Sequence, residues 1–222
     1  MRPRYGIILA CFTALLISFD AQAQDAVIPL GTPLSVATVP ASVGVSATVP
    51  DYVPPKVGDR LKWVLDSTLG PLTLAGGAMN AGWGTASDKP SEYGTHWTGF
   101  AERYGLWMSG IATSNVMEAS FGAIWGEDPR YLRTGRGPLT NRVGHAVKMT
   151  FLAKNREGNY MPAYARYTAI VGSNFLSNTW RPDSDATANR ATVRIGLEFV
   201  ERLARNMWDE FWPDVKDRLF RR

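Results

Sequence analysis

The chain has 222 residues, 45% of them hydrophobic and 20% charged, with a net charge of +4. That composition suits one globular domain with accessory segments. The positive balance is mild and gathers only at Lys216 to Arg222, where cations also suit a helix C-terminus. A nucleic-acid binder shows a clustered basic face, so that class is excluded as a partner.

In chain order, residues 1–23 read as a secretory signal peptide. Arg2 and Arg4 form the charged n-region, Tyr5 to Phe19 the apolar run, and Ala21-Gln22-Ala23 the cleavage site. The run is short for a transmembrane helix. Leu9-Ala10-Cys11 is a poor lipobox, because the apolar run continues well past it. Cys11 is the only cysteine and is expected to leave with the signal. Disulfides, thiolate catalysis and cysteine-bound zinc are then excluded. The expected localisation is exported, in the periplasm or membrane-associated. Residues 24–56, with Pro29, Pro33, Pro40, Pro50, Pro54 and Pro55, form a Pro/Val/Ala-rich flexible arm.

A helical domain over residues 57–222 follows. Asp59 to Leu69 has helical spacing in Leu61, Trp63, Val64 and Leu65, and Gly70-Pro71 breaks it. Leu72 to Gly84 is a glycine-rich helix that suits close packing, in a membrane or in a tight bundle. Ser87-Asp88 with Pro90 and Glu92 reads as the cap of one long helix reaching Trp125. Its second half, Gly105 to Gly126, organises the chain. Small residues recur there every four positions, at Gly110, Ser114, Gly122 and Gly126, with Glu118 inside the row. Leu106, Met108, Ile111, Val116, Met117, Phe121, Ile124 and Trp125 cover most of the remaining surface, so the helix is expected to be buried nearly all round.

Gly126 and Pro129 stop that helix. Thr140 to Ala153 is a short helix with Val143, Val147, Met149, Phe151 and Leu152, and Asn155 to Asn159 a turn. Pro162 to Asn178 is a helix with Tyr164, Tyr167, Ile170, Val171 and Phe175 inward. Asp183 to Asp185 cap a last long helix with the stripe Ile195, Phe199, Leu203 and Met207 beside Leu197 and Val200. Arg194, Glu198, Glu201 and Arg205 form its charged outer face, and Pro213 breaks it before a short basic helix. No strand pair is expected. The fold class is all-α, a single bundle of about five or six helices.

Three strings stand out together: Glu127-Asp128-Pro129-Arg130-Tyr131, Ser177-Asn178-Thr179-Trp180-Arg181-Pro182 and Glu210-Phe211-Trp212-Pro213-Asp214. With a tyrosine-bearing segment at Tyr164 to Tyr167, the chain from about residue 57 to 222 resembles a family of exported bacterial proteins of acidobacterial type. The resemblance implies export and an all-helical domain. It implies no activity and carries over no functional residue.

Glu118 is the sharpest single residue, since a charge inside an apolar helix is costly unless paired. It reads as a buried ion pair with Arg103, Arg130, Arg142 or Arg166, against a proton carrier or ligand anchor. His96 and His145, with Glu102 and Glu118, lack HExxH or i, i+4 ligand spacing. No metal and no cofactor is therefore expected. Asp128, Pro129, Arg130 and Tyr131 read as a structural turn, and Trp180, Trp212 and Pro213 as structural. Gly135-Arg136-Gly137 lacks the strand and glycine pattern of a dinucleotide turn, and no GxSxG or P-loop occurs. Trp83, Trp97, Trp107, Trp125, Trp180, Trp208 and Trp212 lie largely near helix ends, as at a membrane interface or at the ends of a core. The sequence points first to an exported, envelope-associated helical protein of structural or interaction type, with a membrane or an envelope protein as partner. A soluble periplasmic bundle binding a small or lipidic ligand comes next. An enzyme comes third, with Glu118, His145 and Arg130 as its only candidates.

Overall fold

A computed structural model describes residues 52–220 of the chain. The signal peptide, Cys11 and the arm up to Asp51 lie outside the described residues. Among the described residues there are six α-helices and one hairpin: α1 (Val57–Leu69), α2 (Pro71–Ala86), a 3₁₀ turn (Ser91–Tyr93), α3 (Trp97–Trp125), α4 (Leu139–Phe151), β1 (Leu152–Lys154), β2 (Tyr160–Pro162), α5 (Tyr164–Ser177) and α6 (Ala188–Phe220). The class is all-α. Helix α3 packs against α1, α2 and α5, and α6 lies across α4 and α5.

The long helix expected from Ser87 begins ten residues later. Ser87 closes α2, its hydroxyl donating to the Trp83 carbonyl at 2.7 Å, a bond that serves a helix end as readily as a start. Asp88 takes φ 50°. The loop that follows is gathered by Arg103 of α3, which donates to the carbonyls of Lys89 (3.1 Å), Pro90 (2.8 Å) and Gly94 (2.7 Å). Helix α3 ends as expected at Gly126, φ 78°, a left-handed cap open to glycine. A strand pair does exist, antiparallel, with Ala153 opposite Met161. Three-residue strands carry too little alternation to be seen in sequence. The turn between them is held by Asn155 Oδ1, which accepts from Glu157 N and Asn159 N. Pro213 lies inside α6 rather than ending it. Its ring removes one backbone donor, and the nearby Glu210 carbonyl is held from outside by Arg133 Nε (2.9 Å) and Arg142 Nη2 (2.6 Å).

The largest departure concerns which faces point inward. Among the described residues, eight of the ten buried apolar ones are alanines; the others are Met149 and Ile170. Seventeen buried residues are polar or charged, among them Arg60, Arg103, Glu118, Arg166 and Glu210. Helix α2 turns Thr73, Gly77 and Ala81 inward, while Trp83 is 78% exposed. Helix α5 buries Arg166, Ala169, Ile170, Ser173, Asn174 and Ser177, while Tyr164, Val171 and Phe175 face out. In α4 Val147 and Phe151 are exposed while Ala146 and Thr150 are buried. In α6 the charges at Arg194, Glu198 and Arg205 face the bundle, and Val193, Leu197 and Val200 face outward. Helix α3 buries Ser114, Asn115, Glu118, Ala119 and Gly122, whereas Ile124 is 71% exposed. Periodicity locates a stripe; small residues and internal hydrogen bonds decided which stripe packs. No helix among the described residues is long and apolar enough to cross a membrane.

The α2–α3 contact can be tested through its glycines. A Cβ on Gly77 would lie 2.7 Å from the Trp107 ring and 2.9 Å from Tyr104, whereas Gly82 has open space. In denaturant melts, Gly77→Ala is expected to lower stability by about 1–3 kcal/mol through overpacking. Gly82→Ala is expected to raise it by up to about 1 kcal/mol through helix propensity. Equal effects would contradict the packing described.

Candidate functional site

Many of the polar groups that the bundle buries meet α6. Arg194, Glu198, Arg202, Asn206 and Glu210 recur every four residues. Residues four apart share a helix face, and the face drifts by about 40° per step because a turn takes 3.6 residues. The row therefore meets α5 first, then α3, then α4 and the segment before it. Arg194 donates to the Asn174 carbonyl and to Asn178 Oδ1. Asn206 donates to the Ala146 carbonyl (3.2 Å) and Thr150 Oγ1 (3.0 Å).

At the centre, Glu118 Oε1 accepts from Arg166 Nε at 2.9 Å and from Arg202 Nη2 at 2.6 Å. Of the four arginines expected as partners, Arg166 is the one brought to Glu118; Arg202 is an addition that the sequence reading missed. Arg103 instead ties the loop after α2, and Arg130 and Arg142 bind other acids. The small-residue row on α3 admits backbone at one point, where a Cβ on Gly122 would lie 3.0 Å from the Glu127 carbonyl, and polar side chains beside it. Ser114 is bonded to Glu198, and a Cβ on Gly122 would lie 2.9 Å from Arg60 Nη1. Arg166 also donates through Nη1 to the carbonyls of Met149 (2.7 Å) and Thr150 (3.0 Å), acceptors that the last turn of a helix leaves free.

Glu198 sits beside this hub. Its Oε1 accepts from the Ser114 hydroxyl and its Oε2 from Asn174 Nδ2 at 2.6 Å. Burial pushes its carboxyl up to about 7, further than these two donors pull it back. Burial, then the nearby Arg166, draw Arg202 down to about 9.

A second knot joins two of the three strings. Glu210, fully buried, accepts from the Tyr131 hydroxyl (2.8 Å), Thr134 N (3.0 Å), Gly135 N (3.2 Å) and Arg142 Nε (2.7 Å). Burial opposes its charge, yet hydrogen bonds from Arg142 and Tyr131 hold its carboxyl below the usual range. Asp214 bridges Arg133 and Arg142, and Arg142 lies over the Phe211 ring. Asp128 accepts from Tyr52 Oη (3.0 Å) and from Arg130 through Nε and Nη2, and its backbone bridges Lys154. Pro129, buried, gives its carbonyl to Arg202 at 3.0 Å. Tyr52 to Lys56, assigned by sequence to the arm, touch the helical domain: Arg130 donates to the Val53 carbonyl, and Lys56 N donates to Asp59 in the first turn of α1.

The catalytic candidates are held apart by different partners. His145 Nε2 lies 2.8 Å from the Leu132 carbonyl, with its ring edge-on to Tyr131. Glu118 is engaged by arginines and Arg130 by Asp128. His96 stands exposed just before α3, and Glu102 is exposed. Among the described residues no cluster of three His, Cys, Asp or Glu side chains is placed to hold a metal. Trp212 stacks on Trp208 with ring centroids 4.4 Å apart; Trp180 buries its indole Nε1 with no hydrogen-bond partner.

Between α1, the start of α2, the Pro129–Tyr131 turn and α6 lies an open cleft of about 440 Å³. A smaller void of about 30 Å³ adjoins Glu118, Glu198 and Arg202. No protein-family model, no curated protein and no solved structure matches the chain.

Two measurements test the network. Glu118→Gln leaves two buried arginines sharing a neutral partner and is expected to cost about 3–5 kcal/mol in denaturant melts. Glu198 has a folded-state value raised from 4.5 to about 7. The stability that it confers by holding its proton is full below 4.5 and is lost as pH rises toward 7. Glu198→Gln removes this loss, so its stability relative to the wild type is expected to rise between pH 5 and pH 8. A difference that stays flat over that range would contradict the placement of Glu198.

Proposed function

We propose that this is an exported, envelope-associated helical domain of structural or interaction type, docked against a lipid surface through its outward apolar helix faces. The observation that carries the reading is the reversed distribution of polarity. Leu61, Leu65 and Leu69 form an i, i+4 stripe on α1, each more than half exposed. Val193, Leu197, Val200, Trp208, Trp212, Val215 and Leu219 run along α6 over about 40 Å. Such a surface in water forgoes about half of the roughly 1.5–3 kcal/mol that full burial of each large side chain is worth, and extended apolar patches mark interaction or membrane surfaces. Trp83, Trp97 and Trp125, exposed near the ends of α2 and α3, suit the headgroup level. The helices fit the interface plane rather than a span, in keeping with their polar inner faces.

Export rests on the n-region, apolar run and cleavage pattern of residues 1–23, together with the resemblance to exported all-helical proteins. The second reading, a bundle that takes a small or lipidic ligand, is favoured by the cleft against α6. A catalytic role has the least support, since Glu118, His145 and Arg130 have no partner in common.

The tag-free protein is expected in the membrane fraction after a high-salt wash. The double variant Leu61→Asp with Leu65→Asp is expected to move to the soluble fraction with its circular dichroism unchanged. Wild-type protein found wholly in the soluble fraction would overturn the docking reading.

A further inference from the structure

The cleft beside α6 has the size of a small-molecule site, and its lining carries Lys62, Arg130, Arg202 and Arg205 against Asp59, Asp66 and Asp209. Arg166 and Arg202 share the single oxygen Glu118 Oε1. Arg205, which lines the cleft, donates only to neutral acceptors, the Ser67 carbonyl at 2.8 Å and Thr73 Oγ1 at 2.6 Å. Among the described residues no carboxylate lies within 4.0 Å of it. Arg202 lines the same cleft, bonds through Nη2 alone and lies over the Trp63 ring at 5.3 Å, so its Nε and Nη1 remain as donors. Three acids line the cleft. Asp59 accepts from Lys56 N, Asp66 forms no ion pair among the described residues, and Asp209 is raised by burial against the opposing pull of Arg205 and Arg202. Trp63 and Trp208 supply aromatic lining, and Trp208 is part of the outward stripe of α6.

We infer that this cleft holds the phosphate of an anionic amphiphile on Arg202 and Arg205, between the Trp63 and Trp208 rings. The inference rests on the docking reading and names the lipid chemistry that it selects. Two guanidinium groups with spare donors suit an oxyanion. The neighbouring apolar stripe continues from Trp208 to where an acyl chain would lie. A lipid headgroup and a free organic phosphate share this chemistry, and the choice of probes separates them.

The test uses the mature protein and three probes: dihexanoyl phosphatidylglycerol below its micelle concentration, inorganic phosphate, and vesicles of phosphatidylcholine with or without phosphatidylglycerol. Titration calorimetry reads the soluble probes, and flotation reads the vesicles. The short-chain lipid is expected to bind at one site, with inorganic phosphate far weaker. Arg205→Gln, which keeps amide donors toward Ser67, is expected to weaken it about tenfold or more. Exposed Arg136→Gln is the control for bulk charge and is expected to change nothing. If Arg205→Gln fails to fold, Trp208→Ala is expected to give a similar loss. Equal binding by wild type and Arg205→Gln, or no binding of the short-chain lipid, overturns the cleft; if vesicles still float the protein, the docking reading stands without it. Inorganic phosphate binding as tightly as the lipid overturns the amphiphile. Soluble lipid bound with no flotation of any vesicle overturns the docking reading instead.

Discussion

One carboxylate oxygen ties the bundle together. Glu118 sits in the middle of α3, and its Oε1 accepts from Arg166 of α5 and Arg202 of α6. A buried charge without partners would cost several kcal/mol, so the three helices are fixed in register wherever this contact forms. Arg166 extends the tie to α4 through the free carbonyls of its last turn. The buried ends of α6 are placed by the same kind of contact, Arg194 against α5 and Glu210 against the segment after α3.

A polar interior changes what holds the fold and what the surface must do. Alanine, serine and glycine on the inner faces let helices approach closely, and hydrogen bonds join the fully buried positions while large apolar side chains such as Phe199 and Phe121 stay half-buried. The large apolar groups are then displaced outward on α1, α2, α5 and α6. This is the arrangement expected where the surroundings are themselves apolar. The docking proposal and the cleft proposal both start from it, the first from the outward faces and the second from the excess of arginine that the inner face leaves beside Trp63 and Trp208.

The all-α class, the positions of α1, α2 and α5 and the stop at Gly126 were legible, because glycine, proline and helical spacing act locally. Glu118 was legible as a residue that needed a partner. The orientation of the helices was not. Ile195, Phe199 and Leu203, half-buried with Phe199 against the Phe151 and Tyr167 rings, make as good a periodic stripe as Arg194, Glu198 and Arg202, and the usual rule gives the inner face to the apolar one alone. A signal for the opposite was present: Arg194, Glu198, Arg202, Asn206 and Glu210 form an unbroken i+4 polar row, matched by Ser173, Asn174 and Ser177 on α5. Two polar rows on neighbouring helices can satisfy each other. The pairing of Arg142 with Glu210 was missed because the two lie 68 residues apart, although the DPRY and FWPD strings that meet there were visible singly. The hairpin was missed because its strands are three residues long.

The central claim, that folding buries polar rather than large apolar surface, is tested most directly by the heat capacity of unfolding. Exposing apolar surface raises it and exposing polar surface lowers it. Scanning calorimetry of the dilute mature protein should give a step well below the ordinary ~12–15 cal/mol/K per residue. A step within or above that range would mean that the large apolar side chains are buried in the folded chain, and would contradict the account.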